Sequence, residues 1–426
     1  EREGVDTEEA IELPLFVSTN EQFLRRGLVV PRLQGGRDFT QEADLLLEVD
    51  PHVRAAVDMS VKVQTTESSA KGLQTVDVRS GSLHAIPPKS LALVDWEQAY
   101  LNLVAYKERK GLKNLVVRPE VLRNIIEKGS YTLVADEAVV KPRSFEERAL
   151  LQKAVIRILC KYADNFYRHR RERWEKQHLV YKTLDKDDSN LAFNRQVVRD
   201  GTGGTYIIKV RQSEVRLIAA LEKLREDVDR LYKQETNELP RLHFDRHLYL
   251  PLLLKRSNKL TFVPSGLEES ETQFVGDLKD YWENEKDKSL KGKEVFLLRN
   301  LDRGKGVGFF ENSGFYPDFI LWVIDKTGQR IVFIEPHGML YAKAYIHDEK
   351  AQLHERLPRL AKEIGKRSKK KDISLDSFII SATPYDELHK HYDDGTWDRA
   401  KFAQKHILFP ERNDKYDYIK IILAVV

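Results

Sequence analysis

The chain has 426 residues, 41% hydrophobic and 32% charged, with a formal net charge of +4. This length allows about two to four domains. No apolar run reaches the ~18 residues of a membrane helix, and the polar opening Glu1-Arg2-Glu3 carries no secretory signal. Cys160 is the only cysteine, which excludes an internal disulfide and a Cys-rich zinc site and suits a reducing cytoplasm. The chain starts without Met, so sequence upstream of Glu1 is expected.

Residues 1–88 read as a mixed, strand-containing region. Ile11–Val17 and Leu28–Leu33 are short strand-like stretches broken by proline. Leu45–Met59 has a helical look interrupted at Pro51, and Pro87-Pro88 closes the region. Residues 89–245 read as a helical connector. Leu91, Val94, Trp96, Tyr100, Leu101, Leu103 and Val104 recur at helical intervals, and Pro119–Glu127 and Phe145–Lys176 continue the pattern. Glu214–Lys233 carries a strong amphipathic stripe after a strand-like Tyr206–Val210. Cys160 falls in the apolar helical pattern of Ile156–Cys160 and reads as a buried structural thiol.

Residues 246–426 alternate between helix and strand. A helix is expected over Leu267–Asp287, strands over Glu294–Leu298, Phe319–Ile324 and Arg330–Ile334, a helix over Ile346–Ile364 and a strand over Ser377–Ser381. The fold class expected is therefore mixed α/β, with a C-terminal mixed sheet flanked by helices.

Net charge this mild does not establish a nucleic-acid partner, but clustering matters more. Arg168–Arg173 and Lys366–Lys371 are basic clusters able to meet phosphates or simply to face solvent. Leu301–Gly308 is a Gly-rich basic loop without the Lys-Ser/Thr of a P-loop. Its glycines permit close backbone approach, and Arg303 and Lys305 are candidates for holding DNA phosphates. Gly201–Gly204 also fails the P-loop pattern, and Tyr131–Ala138 matches a helicase box only by chance, so ATP hydrolysis is not expected from this chain alone.

The stretch that carries chemistry runs from Phe315 to Gly338. Two apolar strands meet across Asp325-Lys326-Thr327-Gly328. With Lys326-Thr327 as a two-residue loop, Asp318 lies opposite Glu335; with a three-residue loop and a bulge at Gly328, the register moves by one and the carboxylates part to opposite faces. His337 follows Glu335 by two and shares its face on an extended strand. Asp, Glu and His on one face suit a hard divalent cation, which activates water and neutralises a scissile phosphate. The bland alternative is a turn cap and a strand end at the surface.

Pro317-Asp318 followed by Glu335-Pro336-His337 resembles the PD-(D/E)XK nuclease signature, with His337 where Lys is usual. Val295–Phe310 running into Phe315–Phe319 resembles the C-terminal endonuclease region of type III restriction enzyme Res subunits and related superfamily-two helicase-nucleases. The likeness extends through Ser90–Trp96 and Tyr106–Gly111. It implies a Mg²⁺-dependent DNA endonuclease module of a restriction and antiviral-defence system, with Mn²⁺ as a substitute ion. Asp318 and Glu335 would be metal ligands, and Glu271 the further acid of the preceding helix, with Glu268 and Glu269 competing. His337 would serve as base or ligand, or would mark a nuclease fold that has lost cleavage and only grips DNA or a partner. Lys350 is a candidate for the missing cation, against a plain surface salt bridge. The implied partners are DNA, an ATPase/helicase motor upstream or on another chain, and a methyltransferase subunit, in the cytoplasm and off the membrane.

Overall fold

The computed structural model describes residues 10–69, 72–80, 82–195, 203–226, 239–255, 259–301, 306–307, 316–340, 342, 344–348, 350–410 and 416–424. The chain is mixed α/β, and none of its described helices is long and apolar enough to cross a membrane. It divides into two compact units, one of residues 33–178 and one joining 1–32 to 179–426.

This division does not follow the segment edges at 88 and 245 expected from sequence texture. Its cause is long-range pairing. Strand Ala10–Phe16 runs antiparallel to Thr205–Arg211, which also pairs with Leu260–Val263. The first residues thus belong with the last ones, a relation that no local pattern carries.

The 33–178 unit is built on one long helix, Phe145–His178, of 34 residues. Leu151, Val155, Ile158, Tyr162 and Phe166 fall at three- and four-residue spacing and are fully buried. Helix Trp96–Lys110 packs beside it, capped by the Asp95 carboxylate, which accepts from the Gln98 amide at 2.9 Å. A small sheet orders Arg54–Asp58, Ser130–Ala135 and Ser82–His84. The helical expectation for Leu45–Met59 fails here. Leu45–Leu46 and Arg54–Asp58 are strands, the second strictly alternating in burial. Cys160 is partly buried, and burial pushes its thiol up to about 11, as expected of an inert structural cysteine.

The other unit holds the five-stranded sheet that positions the candidate site. Helix α1 (Glu269–Glu285) precedes strands β1 (Glu294–Arg299), β2 (Phe319–Asp325) and β3 (Gly328–His337). Helix α2 (Leu353–Ser368) follows, then β4 (Ile373–Ser381) and β5 (Ile407–Leu408). The strands lie in chain order; β1, β2 and β3 are antiparallel, and β3, β4 and β5 parallel, so the sheet is mixed. Residues 319–323 of β2 are buried without a break, because both faces are covered. On one face Phe274 of α1 meets Phe319, ring centres 5.4 Å apart. On the other the Trp322 indole donates to the Val29 carbonyl at 2.8 Å, and Gln329 bonds to the backbones of Gly27 and Val29. The α2 helix begins at Leu353, later than the Ile346 expected, because Tyr345–His347 forms a separate 3₁₀ turn.

Candidate active site

The register question is settled by the turn. Asp325 pairs with Gly328, leaving Lys326-Thr327 as a two-residue loop, and the Asp325 carboxylate accepts from the Thr327 amide at 2.7 Å. Gly328 is required twice over. Its φ is +147°, and a Cβ there would stand 2.0 Å from the Asp372 carbonyl oxygen. From this turn the ladder runs to Phe319 opposite Ile334. One step further, Asp318 and Glu335 flank the strand ends on the same face.

The two carboxylates are held in an environment that resists their charge. Glu335 is 7% exposed. Its Oε1 accepts from Lys350 Nζ at 2.6 Å, while its buried Oε2 has no hydrogen-bond partner among the described residues, and the Asp318 backbone favours its charged form. Burial, and then the carboxylates of Glu335 and Glu271, push Asp318 up to about 8 against the pull of Arg299 and Lys350. Burial also raises Glu335 above the ordinary range, opposed by Lys350.

The backbone around Asp318 is fixed by Asn300. Its backbone N–H donates to the Asp318 carbonyl at 2.8 Å, and its side-chain amide donates to the carbonyls of Pro317 and Val307, each at 2.8 Å. Asn190 donates in turn to Asn300 Oδ1 at 3.1 Å and accepts from the Leu301 amide at 2.8 Å. At Gly306 a Cβ would fall 1.8 Å from the Leu301 carbonyl oxygen, so this glycine serves the loop's own turn. Arg303 and Lys305 lie outside the described residues.

Of the three glutamates considered on α1, Glu268 caps the helix and pairs with Lys255 at 2.7 Å. Glu271 is the buried one. It receives the Glu268 amide at 2.7 Å in a capping box and sits 3.5 Å from the Arg299 guanidinium. It therefore acts on Asp318 through space while its own bonds serve the helix start and Arg299. Glu269 lies on the exposed side of the first turn.

His337 pairs with Ser381 across β3 and β4 and is half-buried. Burial and the nearby Lys350 depress its imidazole to about 4, so it is neutral at pH 7 and is no stand-in for a fixed cation. The cation beside Glu335 is Lys350, from the turn ahead of α2. Sequence reasoning also missed Arg299, a buried cation at the end of an apolar strand, which nothing in the local pattern marks.

Among the described residues no three His, Cys, Asp or Glu side chains converge as a ready ligand set. What the site offers is two carboxylates, one with an orphaned buried oxygen and the other pushed toward its neutral form. Hard oxygen donors short of nearby positive charge fit a Mg²⁺-type ion, which takes one or two protein carboxylates and keeps several waters. Within the Arg168–Arg173 cluster Arg170 pairs with Glu48 and Asp50 and Arg171 with Glu175; within Lys366–Lys371, Arg367 donates to the Leu179 carbonyl.

No family model, curated protein or solved structure matches this chain.

Proposed function

We propose that the chain is a Mg²⁺-dependent DNA endonuclease module that hydrolyses phosphodiester bonds. The observation that carries this reading is the Asp318–Glu335 pair, Glu335 buried and Asp318 partly so, set on one face by the hairpin register, with Glu335 Oε2 unpartnered among the described residues. Asp318 and Glu335 would hold the ion. Bound there, Mg²⁺ or Mn²⁺ supplies a water of lowered pKa and neutralises charge on the scissile phosphate. Lys350 orients the Glu335 carboxylate and adds a positive charge for an incoming phosphate. His337, kept neutral, adds no competing charge and could offer a ring nitrogen to the ion. Arg299 braces Glu271 and lowers the cost of three acids in one site.

A second reading is supported by the same cations. Lys350 and Arg299 offset much of the carboxylate charge without an ion, as they would in a nuclease fold retained for gripping DNA or a partner. An ATPase motor and a methyltransferase subunit as partners, and a place in restriction or antiviral defence, rest on the sequence resemblance alone.

The test is cleavage of supercoiled plasmid by the full chain with Mg²⁺ or Mn²⁺, beside Asp318→Asn and Glu335→Gln. The reading expects nicking by the wild type that EDTA stops and that both variants lose by about a thousandfold or more, the scale on which losing several kcal/mol of charge stabilisation is felt. Undiminished cleavage by Asp318→Asn would place the chemistry elsewhere. Retained DNA binding with no cleavage under either metal would select the second reading.

A further inference from the structure

The 33–178 unit carries a feature that the carboxylate site does not use. The groove between helix Trp96–Lys110 and the first turns of Phe145–His178 encloses about 610 Å³. On the long helix, Phe145, Arg148, Ala149, Gln152, Lys153, Ile156 and Arg157 recur at three- and four-residue spacing along it. This is a second face of a helix whose opposite side, through Leu151, Val155 and Ile158, already forms the core. Phe145 is 82% exposed and Leu93 37% exposed, with Leu101 on the flank at 59%. Large apolar groups gathered around one concavity mark an interaction surface rather than scattered surface residues.

The charges decide what fits. Arg148, Lys153 and Arg157 line the groove against a single carboxylate, Asp95. That carboxylate is committed to the Gln98 amide as a helix cap. Arg148 also donates to the Leu93 carbonyl at 2.9 Å, which fixes one cation at the groove edge. The floor is aliphatic and amide in character, Ile156 and Gln152, and the latter bonds to both backbone groups of Asp95. An apolar trough between two helices with a cationic rim accepts an amphipathic helix, whose own ridge of apolar side chains enters between the ridges of the pair.

We infer that this groove is a docking site for an acidic amphipathic helix of a partner protein, its apolar stripe seated on Phe145, Leu93 and Ile156 and its carboxylates on Arg148, Lys153 and Arg157. Phosphates would meet the same cations, but the recessed aliphatic floor gives nucleobases no ring to stack on besides Phe145.

The probe is a fluorescein-labelled synthetic helix with a Leu/Phe stripe flanked by glutamates, titrated with the full chain by fluorescence anisotropy. A second peptide with lysines for the glutamates and a single-stranded oligonucleotide serve as alternatives. The acidic peptide should bind and weaken as salt rises, and the lysine peptide should not bind. Phe145→Asp, and separately Arg148→Glu with Arg157→Glu, should each reduce affinity about tenfold or more. All three residues are exposed, so the melting curves of these variants should match the wild type. Absence of binding by the acidic peptide, equal binding by the lysine peptide, affinity unchanged in Phe145→Asp, or displacement by the oligonucleotide at lower concentration would each overturn the inference.

Discussion

The two ends of the five-stranded sheet treat a partly buried carboxylate in opposite ways. At the turn end, Asp376 of β4 lies among hydrogen-bond donors. Arg330 reaches its Oδ2 at 2.6 Å, and His406 its Oδ1 at 3.0 Å. His406 is itself stacked between Phe378 and His354, at 4.3 and 4.1 Å. Burial alone would raise Asp376, but His406 and Arg330 more than offset it, and the carboxyl sits below its ordinary value. At the other end Asp318 faces two more acids and is driven up to about 8. Burial is common to both, so burial does not distinguish them; partner count does. A carboxylate with both oxygens met is a strut, whereas one left short of positive charge is a place for something to bind.

The sharpest break in this comparison comes from removing each charge in turn. Asp376→Asn should strand Arg330 and cost about 3–5 kcal/mol in urea unfolding, as broken buried pairs do. Asp318→Asn should be neutral or stabilising, because it removes a charge that folding disfavours. A larger loss for Asp318→Asn than for Asp376→Asn would invert the assignment of strut and site.

A smaller effect is expected from Mg²⁺ itself. Saturating ion should stabilise the wild type by about 1–3 kcal/mol at tens to hundreds of times its Kd, read as a raised melting temperature. The shift should vanish in Asp318→Asn and persist in Asp376→Asn, provided that the latter remains folded at the working temperature. An equal shift in wild type and Asp318→Asn would place ion binding outside the carboxylate pair.

The smallest effect sharpens the rule. Glu175, on the long helix of the other unit, is also buried, its Oε1 held by Arg171 at 2.7 Å and its Oε2 unpartnered among the described residues; the acids Asp38 and Glu172 act on it less than Arg171 does. Burial raises it from 4.5 to about 7. An acid whose pKa is raised on folding binds more protons in the native state. Its contribution is therefore intact below its unfolded value of 4.5 and is lost as pH climbs through about 7. Glu175→Gln should accordingly leave stability unchanged in acid and raise it on the order of 1 kcal/mol above neutrality. A constant offset across the whole pH range would mean that the carboxylate's charge is not the cause. Cleavage should be untouched.

Much of the sheet was legible because its strands are short, continuous apolar runs bounded by turn residues, as in Phe319–Ile324 before Asp325-Lys326-Thr327-Gly328. The loop length was the open point, and the fit of Gly328 against Asp372, a residue 44 positions later (372 − 328), decided it. Leu45–Met59 was misread because its leucines and alanines favour helix, although Val53, Ala55 and Val57 already alternate with exposed neighbours. The acids Asp318, Glu335 and Glu271 were visible as motif positions. Their cations were not. Lys350 lies 15 residues from Glu335 and Arg299 lies 28 from Glu271, distances at which only the fold creates a neighbourhood. The resemblance to nucleases places a cation two residues after Glu335, and the structure instead has a neutral His337 there and a lysine arriving from the next element.

The 33–178 unit leaves and re-enters the chain between Val29–Leu33 and Leu179–Thr183, two strands that neighbour each other in one small sheet. During synthesis this inserted unit can finish folding while strand Ala10–Phe16 still waits for Thr205–Arg211 to emerge, and long before Asp318 or Glu335 has been translated. The carboxylate pair thus assembles only after the inserted unit has had time to fold. Its insertion point also makes residues 34–178 separable in principle, since the two flanking strands stand only about 4.8 Å apart and a short linker would rejoin them.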